Sequence, residues 1–330
     1  MRPFEFERAS SVRDAVARVA ARPDAVFLAG GTNLVDHMKL GITSPGLLVD
    51  VTGLPLGGVA PLPGGGVRVG ALVRNSDLAA EPAIRQRYPV LSQALLAGAS
   101  GQLRNMATTA GNLLQRTRCP YFQDGTAPCN KREPGSGCPA VEGHHREHAI
   151  LGASAHCVAV NPSDMAVALC ALDAVVQVSG PDGQRAIPVQ ALYRLPGEEP
   201  QRDTVLGHGE LITAVDLPVL PAAARSRYRK VRDRASYAFA LVSVALAAQI
   251  EAGTVREVRI AFGGLAHMPW RARAAEQVLA GAPAARETAL QAADAELAAA
   301  RPLPGNAFKA ALARAALAAA MDELITQAAP

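Results

Sequence analysis

Apolar and polar positions alternate along the first fifty residues in two rhythms. Val12, Ala15, Val16 and Val19 recur at helical spacing behind Ser11, with Asp14 three residues after it, a capping box with a shorter acid. Phe4 to Glu7, Val26 to Leu28 and Leu47 to Val51 are short runs of strand type. Between the last two lie the turn Ala29-Gly30-Gly31-Thr32-Asn33 and a predicted helix from Leu34 to Lys39. Strand, glycine turn, helix and strand make a nucleotide-handling layout, because glycines let backbone amides approach phosphate oxygens. The dinucleotide fingerprint GxGxxG is absent, and a plain tight turn explains Gly30-Gly31-Thr32 equally well.

Further on, Val67 to Leu72 alternates as a strand, Asn75-Ser76-Asp77 predicts a helix cap, and Leu91 to Ala99 a helix. Residues 101–112 have almost no hydrophobic period but many small and hydrogen-bonding side chains. Thr108, Thr109 and Asn112 around Gly111 suit a ligand held by hydroxyls, an amide and backbone N–H groups; a polar loop closed by Asx and ST turns has the same composition. Met165 to Leu172 predicts a helix with Ser163 or Asp164 near its N-cap. Ala174 to Ser179 and Gln184 to Val189 form a hairpin around Gly180-Pro181-Asp182-Gly183, and Glu210 to Leu217 is a further strand.

The composition shifts after Pro221, which sets an expected domain boundary near residue 222. Tyr228 to Arg234 reads as an exposed strand with basic teeth, and Leu241 to Ile250 with Val255 to Phe262 as a hairpin. The Ala-rich stretches Arg271 to Ala280, Ala284 to Ala299 and Asn306 to Gln327 read as helices, so the last third is a small α+β unit.

Composition narrows the function classes. At 49% hydrophobic and 19% charged, the 330 residues have the balance of a folded globular protein. The net charge of +4 comes without any basic block, which leaves no electrostatic footprint for nucleic acid. No run of eighteen apolar residues occurs, so no membrane span is expected, and MRPFEFERAS has no apolar h-region of an export signal.

Candidate chemistry concentrates in residues 115–163, where four of the five cysteines stand among Pro, Gly and charged residues. A loop this long with little apolar surface is functional or disordered. Cys119, Cys129, Cys138 and Cys157 are spaced C-x9-C-x8-C-x18-C. Four thiols are the ligand count of a zinc site or an iron–sulfur cluster, but neither zinc knuckles nor the ferredoxin run is present, so spacing alone leaves the metal open. Cys170 lies in a helical stripe and reads as a small core residue. His144, His145 and His148, among Glu and Arg, read as solvated.

These stretches together carry a resemblance. LAGGTNLVDHMK, GASGQLRNMATTAGNLLQRTRCPYF, PCNKREPGSGC, PSDMAVAL and YRKVRDRASYAFALVSVA resemble the FAD-binding medium subunit of the xanthine dehydrogenase and molybdenum hydroxylase family. The likeness spans essentially the whole chain and is greatest to the subgroup of periplasmic-type aldehyde oxidoreductases, whose medium subunits carry the cysteine insertion. It implies an α+β fold: a two-part FAD-binding domain of the PCMH (vanillyl-alcohol-oxidase-like) type over residues 1–221, with subdomains of about 1–52 and 53–221 and the cysteine loop 115–163 inserted. A C-terminal domain of the CO-dehydrogenase flavoprotein type would occupy residues 222–330. By position, Val26, Phe27, Leu28, Ala29, Gly30, Gly31, Thr32, Asn33 and Leu34 match the first FAD segment, and Thr108, Gly111 and Asn112 the second. Asp164 matches an acid at the adenosine portion, Ile212 an apolar position near the ring system and Lys230 a basic position of the third-domain strand. Ala110 and Ala238 depart from the commoner Gly and acid of the family.

The same resemblance implies that Cys119, Cys129, Cys138 and Cys157 hold a [4Fe–4S] cluster. It implies an electron-transfer subunit that passes electrons through FAD to an external acceptor. Partners would be a large subunit with the molybdenum cofactor, where the aldehyde is oxidised, and a small [2Fe–2S] subunit. No catalytic residue is expected here. The location implied is periplasmic by co-export with a partner; the absence of a signal in the chain, taken alone, implies cytoplasmic. A stand-alone flavin oxidase and a zinc-stapled scaffold are the alternatives.

Overall fold

Ser11 opens the first helix, Val12–Ala20, as its spacing predicts: its hydroxyl accepts from Asp14 N at 3.1 Å. The Asp14 carboxylate reaches one residue further back than in a standard box, to Ser10 N at 2.8 Å. The computed structural model describes residues 1–326, so the expected helix end at Gln327 lies outside the described residues. Three sheets organise the chain. In the first, β1 (Glu5–Arg8), β2 (Ala25–Leu28) and β3 (Leu47–Asp50) are parallel in the order β1-β3-β2. Helix Leu34–Lys39 makes the crossover from β2 to β3. Ala15, Val16 and Val19 pack on Ala25, Leu47 and Val49 to close this small layer.

The second sheet is antiparallel. It joins β4 (Val59–Pro61), β5 (Val67–Gly70), β6 (Val175–Gly180), β7 (Gly183–Pro188) and β8 (Leu211–Leu217) in the order β4-β5-β8-β6-β7. The third, β12-β11-β10-β9, comprises β9 (Ser226–Val231), β10 (Val242–Glu251), β11 (Thr254–Gly263) and β12 (Trp270–Arg271), with helices Arg273–Leu279, Arg286–Leu297 and Phe308–Thr326 beside it. Helix Asp164–Ala171 packs on β10 and β11 of the third sheet and on helix Pro89–Ala97, with all eight residues buried, which accords with its largely apolar sequence. Among the described residues no helix is long and apolar enough to cross a membrane.

Four sequence expectations are corrected. Asn75-Ser76-Asp77 is not a cap but the first turn of helix Asn75–Ala80; Arg74 stands at the N-cap, and Asn75 N donates to Ala107 O at 2.9 Å. Residues 101–112 form helices Gly101–Arg104 and Thr109–Leu113, started by the hydroxyls of Ser100 and Thr108 rather than by an apolar stripe. The strand of basic teeth stops at Val231, the last residue of β9 paired with β10, and residues 233–237 are a run of bends.

The cysteine loop is the fourth. It carries its own apolar anchors, with Phe122, Ile150 and Leu151 almost fully buried. His145 and His148 are buried rather than solvated, and only His144 of the three is exposed. The cause lies far along the chain. Lys309, fully buried, donates from Nζ to the carbonyls of Glu147 (3.1 Å), His148 (2.8 Å) and Gly264. Asn306 Nδ2 donates to His148 O and Ala149 O, both at 3.2 Å. Burial pushes the Lys309 ammonium down to about 7, while three carbonyl acceptors match its three donors. Lys309→Met takes a donor from all three carbonyls, with His148 O keeping only Asn306 Nδ2, and is expected to cost about 3 kcal/mol. A denaturant midpoint equal to that of the wild type would contradict this clamp.

Candidate functional site

The glycine turn after β2 presses against the segment 106–107. A Cβ on Gly30 would lie 2.1 Å from Met106 O, and Gly31 has φ +71°, so each position admits glycine for its own reason. Asn33 Oδ1 accepts from Arg116 N at 3.0 Å, which ties the turn to the start of the cysteine loop. The second candidate segment is held from inside. Thr108 Oγ1 accepts from Gly111 N at 3.3 Å, and Asn112 Oδ1 accepts from Ser163 Oγ at 2.6 Å and Gln115 Nε2 at 2.9 Å.

Two cavities meet at Thr32, Asn33 and Gly111, one of about 510 Å³ and one of about 270 Å³. The smaller is lined by Val26, Phe27, Ala29, Gly30, Gly31, Leu34, Thr108 and Ile212. The larger runs past Asn112 to Asp164, Lys230 and the exposed rings of Tyr237 and Phe239. Every candidate flavin residue thus borders this continuous cleft except Leu28, whose side chain packs behind Gly31. Ile212 and Lys230 sit on different cavities.

Asp164 is not the helix cap; Ser163 is, accepting from Ala166 N at 3.0 Å. Asp164 instead forms a buried pair with Lys230 Nζ at 2.7 Å, while the Tyr228 hydroxyl donates to its other oxygen at 2.6 Å. Lys230 also donates to Ala97 O at 3.2 Å, so its charge is compensated within the protein. Burial, then the Asp164 carboxylate, pushes the Tyr228 hydroxyl well above its ordinary value. Tyr228 was missed in the sequence, although it lies two residues from Lys230 and hence on the same face of β9. Arg118 is also new to the cleft: its guanidinium stacks over Phe239 at 5.2 Å, and burial lowers its pKa.

The four loop cysteines line one small cavity, together with His148 and His156. Its free volume is only about 10 Å³. The neighbouring thiols shift each other in opposite directions, Cys138 down to about 6 and Cys157 up. Burial raises Cys119 to about 11. No three His, Cys, Asp or Glu side chains among the described residues converge on a single metal ion. A cubane cluster asks for something different, since its four thiolates ligate four separate irons. The donor set fits such a group in number and type, though not as a ready-made void. Cys170 lies apart, its Sγ 3.9 Å from Pro269 O. A further small cavity, lined by Cys119, His148, Arg118, Asp164 and Phe239, borders both Cys119 and the cleft.

Behind the cleft, His267 is buried and neither ring nitrogen has a partner in the protein. Burial first, then Lys131, lowers its pKa from 6.5 to about 3. The unfolded chain therefore binds the extra proton between these values, and stability falls as the pH drops through 6.5. From pH 7 to 5 this group is expected to remove on the order of 2 kcal/mol. The loss should be smaller in His267→Leu, read from denaturant midpoints at both pH values; equal losses would contradict the assignment.

The family described as FAD binding domain in molybdopterin dehydrogenase matches residues 2–220, and the CO dehydrogenase flavoprotein C-terminal domain matches residues 226–326. The aldehyde oxidoreductase FAD-binding subunit PaoB of Escherichia coli K12 is 52% identical over 330 residues, covering 99% of this chain and 100% of that one. The glyceraldehyde dehydrogenase medium chain of Sulfolobus acidocaldarius is 26% identical over 84% of this chain and 81% of its own. Among solved structures, carbon monoxide dehydrogenase from Hydrogenophaga pseudoflava superposes with a TM-score of 0.77 at 26% identity, covering 100% of both chains. The reconstituted CO dehydrogenase of Oligotropha carboxidovorans shares the fold with a TM-score of 0.78 at 22% identity, covering 99% of both chains. This chain belongs to the xanthine dehydrogenase, or molybdenum hydroxylase, family, as one of its FAD-binding medium subunits.

Proposed function

We propose that this chain is the FAD- and [4Fe–4S]-binding electron-transfer subunit of a molybdenum-dependent aldehyde oxidoreductase. Its partners are a large subunit with the molybdenum cofactor, where the aldehyde is oxidised, and a small [2Fe–2S] subunit. The observation that carries the reading is the adjacency of two sites: four cysteines around one cavity, and a small cavity lined by Cys119, Arg118 and Asp164 that borders the glycine-walled cleft. Full-length likeness to an aldehyde oxidoreductase subunit supports the substrate class.

When bound, FAD supplies one- and two-electron redox chemistry. The chain's residues do the holding. The Gly30-Gly31-Thr32 turn and the Thr108–Asn112 segment offer close-approaching backbone and hydroxyls, and Ile212 offers an apolar wall. The paired Asp164 and Lys230 present a fixed, neutral unit on the larger cavity, and Tyr228 fixes the carboxylate orientation. Cys119, Cys129, Cys138 and Cys157 would ligate the cluster.

The test is aldehyde-dependent reduction of an artificial acceptor by the assembled enzyme and by this chain alone. The assembled enzyme should turn over and the single chain should not. Aldehyde turnover by the single chain would instead establish a self-sufficient flavin oxidase.

A further inference from the structure

His148 is buried in the wall of the cysteine cavity, with 3% of its surface exposed. Its Nε2 lies 3.1 Å from Cys119 Sγ, and its Nδ1 is buried without a partner. The ring therefore engages the protein's polar groups only through the cysteine sulfur. Its backbone is fixed from the far end of the chain, by Lys309 and Asn306 on His148 O, and by His145 O, which accepts from His148 N at 3.0 Å. His145 is itself held, with Ala140 O 3.1 Å from its Nδ1 and Gly305 N donating to its Nε2 at 2.9 Å. Neither this packing nor the lone acceptor at Nδ1 calls for an imidazole, because an apolar side chain would fill the same space with no unmet polar atom.

We propose that His148 is a positioning residue that donates an Nε2–H hydrogen bond to the Cys119 thiolate and so raises the reduction potential of the cluster. This rests on the [4Fe–4S] reading above. A cluster-bound thiolate has no proton and only accepts, so the imidazole is the donor. Hydrogen bonds to ligand sulfurs stabilise the reduced cluster, which carries one more negative charge, and shift its potential upward. The clamp of Asn306 and Lys309 fixes the backbone that carries this donor.

The experiment is an EPR-monitored redox titration of the assembled enzyme, wild type and variants, with iron, sulfide and FAD quantified in each. His148→Leu removes the donor, His148→Phe removes it while keeping a buried ring, and His148→Gln retains an N–H. The midpoint potential of the cluster is expected to fall in the Leu and Phe variants and to recover towards wild type in the Gln variant, with the flavin potential unchanged. An exchangeable proton coupled to the reduced cluster should vanish from the Leu and Phe spectra with it. An intact cluster at the wild-type potential in either donor-free variant overturns the role of His148 alone. Wild-type enzyme without iron and sulfide overturns the cluster reading, and this inference with it.

Discussion

Gly30→Ala is expected to abolish flavin retention and to cost on the order of 3 kcal/mol of stability. The new methyl would meet Met106 O at 2.1 Å, a backbone atom that no rotamer change can move aside. Relief requires the turn and the segment 106–107 to separate, and both of them wall the cleft. Gly31→Ala acts differently. Its φ of +71° strains an L-residue by roughly 1–2 kcal/mol, and its Cβ would meet only side-chain carbons of Val35 and Leu28, at 3.1 and 3.5 Å. The two variants should therefore separate in purified protein, with Gly31→Ala keeping part of its flavin by absorbance and Gly30→Ala none. Equal flavin content in Gly30→Ala and wild type would remove the turn from the cofactor site.

On the proposed cluster ligation, Cys129→Ser should strip iron and sulfide while leaving FAD bound. A serine hydroxyl is a far poorer ligand for iron than a thiolate, and the three remaining cysteines leave one iron without its protein ligand. The loop should not melt as a whole. Arg132 ties its first lobe internally through the carbonyls of Tyr121, Phe122 and Asp124, at 2.8, 2.6 and 2.6 Å, and Asn130 Oδ1 accepts from Gly135 N and Gly137 N. Residues 145–151 are held independently by Lys309 and Asn306 and by the burial of Ile150 and Leu151. Residues 145–151 are expected to stay free of new proteolytic cuts, and the tied lobe 121–137 to gain few. Retention of iron and sulfide at the wild-type level would take Cys129 out of the ligand set.

What the sequence made legible follows from how local each cause is. The strand, glycine turn, helix and strand of residues 25–50 are written in neighbouring residues, and the structure reproduces them within a residue or so. The helices at 101–104 and 109–113 were hidden because hydroxyl caps start them and no apolar stripe marks them. Tyr228 was legible in principle from its two-residue offset to Lys230, but the arginines between and around them read as an exposed face. The burial of His145 and His148 was not legible at all. It depends on Gly305, Asn306 and Lys309, about 160 positions away, and nothing in the local Glu- and Arg-rich composition encodes that contact. The pairing of Asp164 with Lys230 is of the same kind: each residue was a candidate separately, and only the packing of helix Asp164–Ala171 on the third sheet joins them.

The most direct test of the central claim is the absorption spectrum of the purified wild-type chain, with flavin, iron, sulfide and zinc quantified on the same sample. FAD is expected together with about four iron and four sulfide per chain, and a broad iron–sulfur absorbance beneath the flavin bands. A colourless protein holding zinc, with neither flavin nor iron, would contradict it.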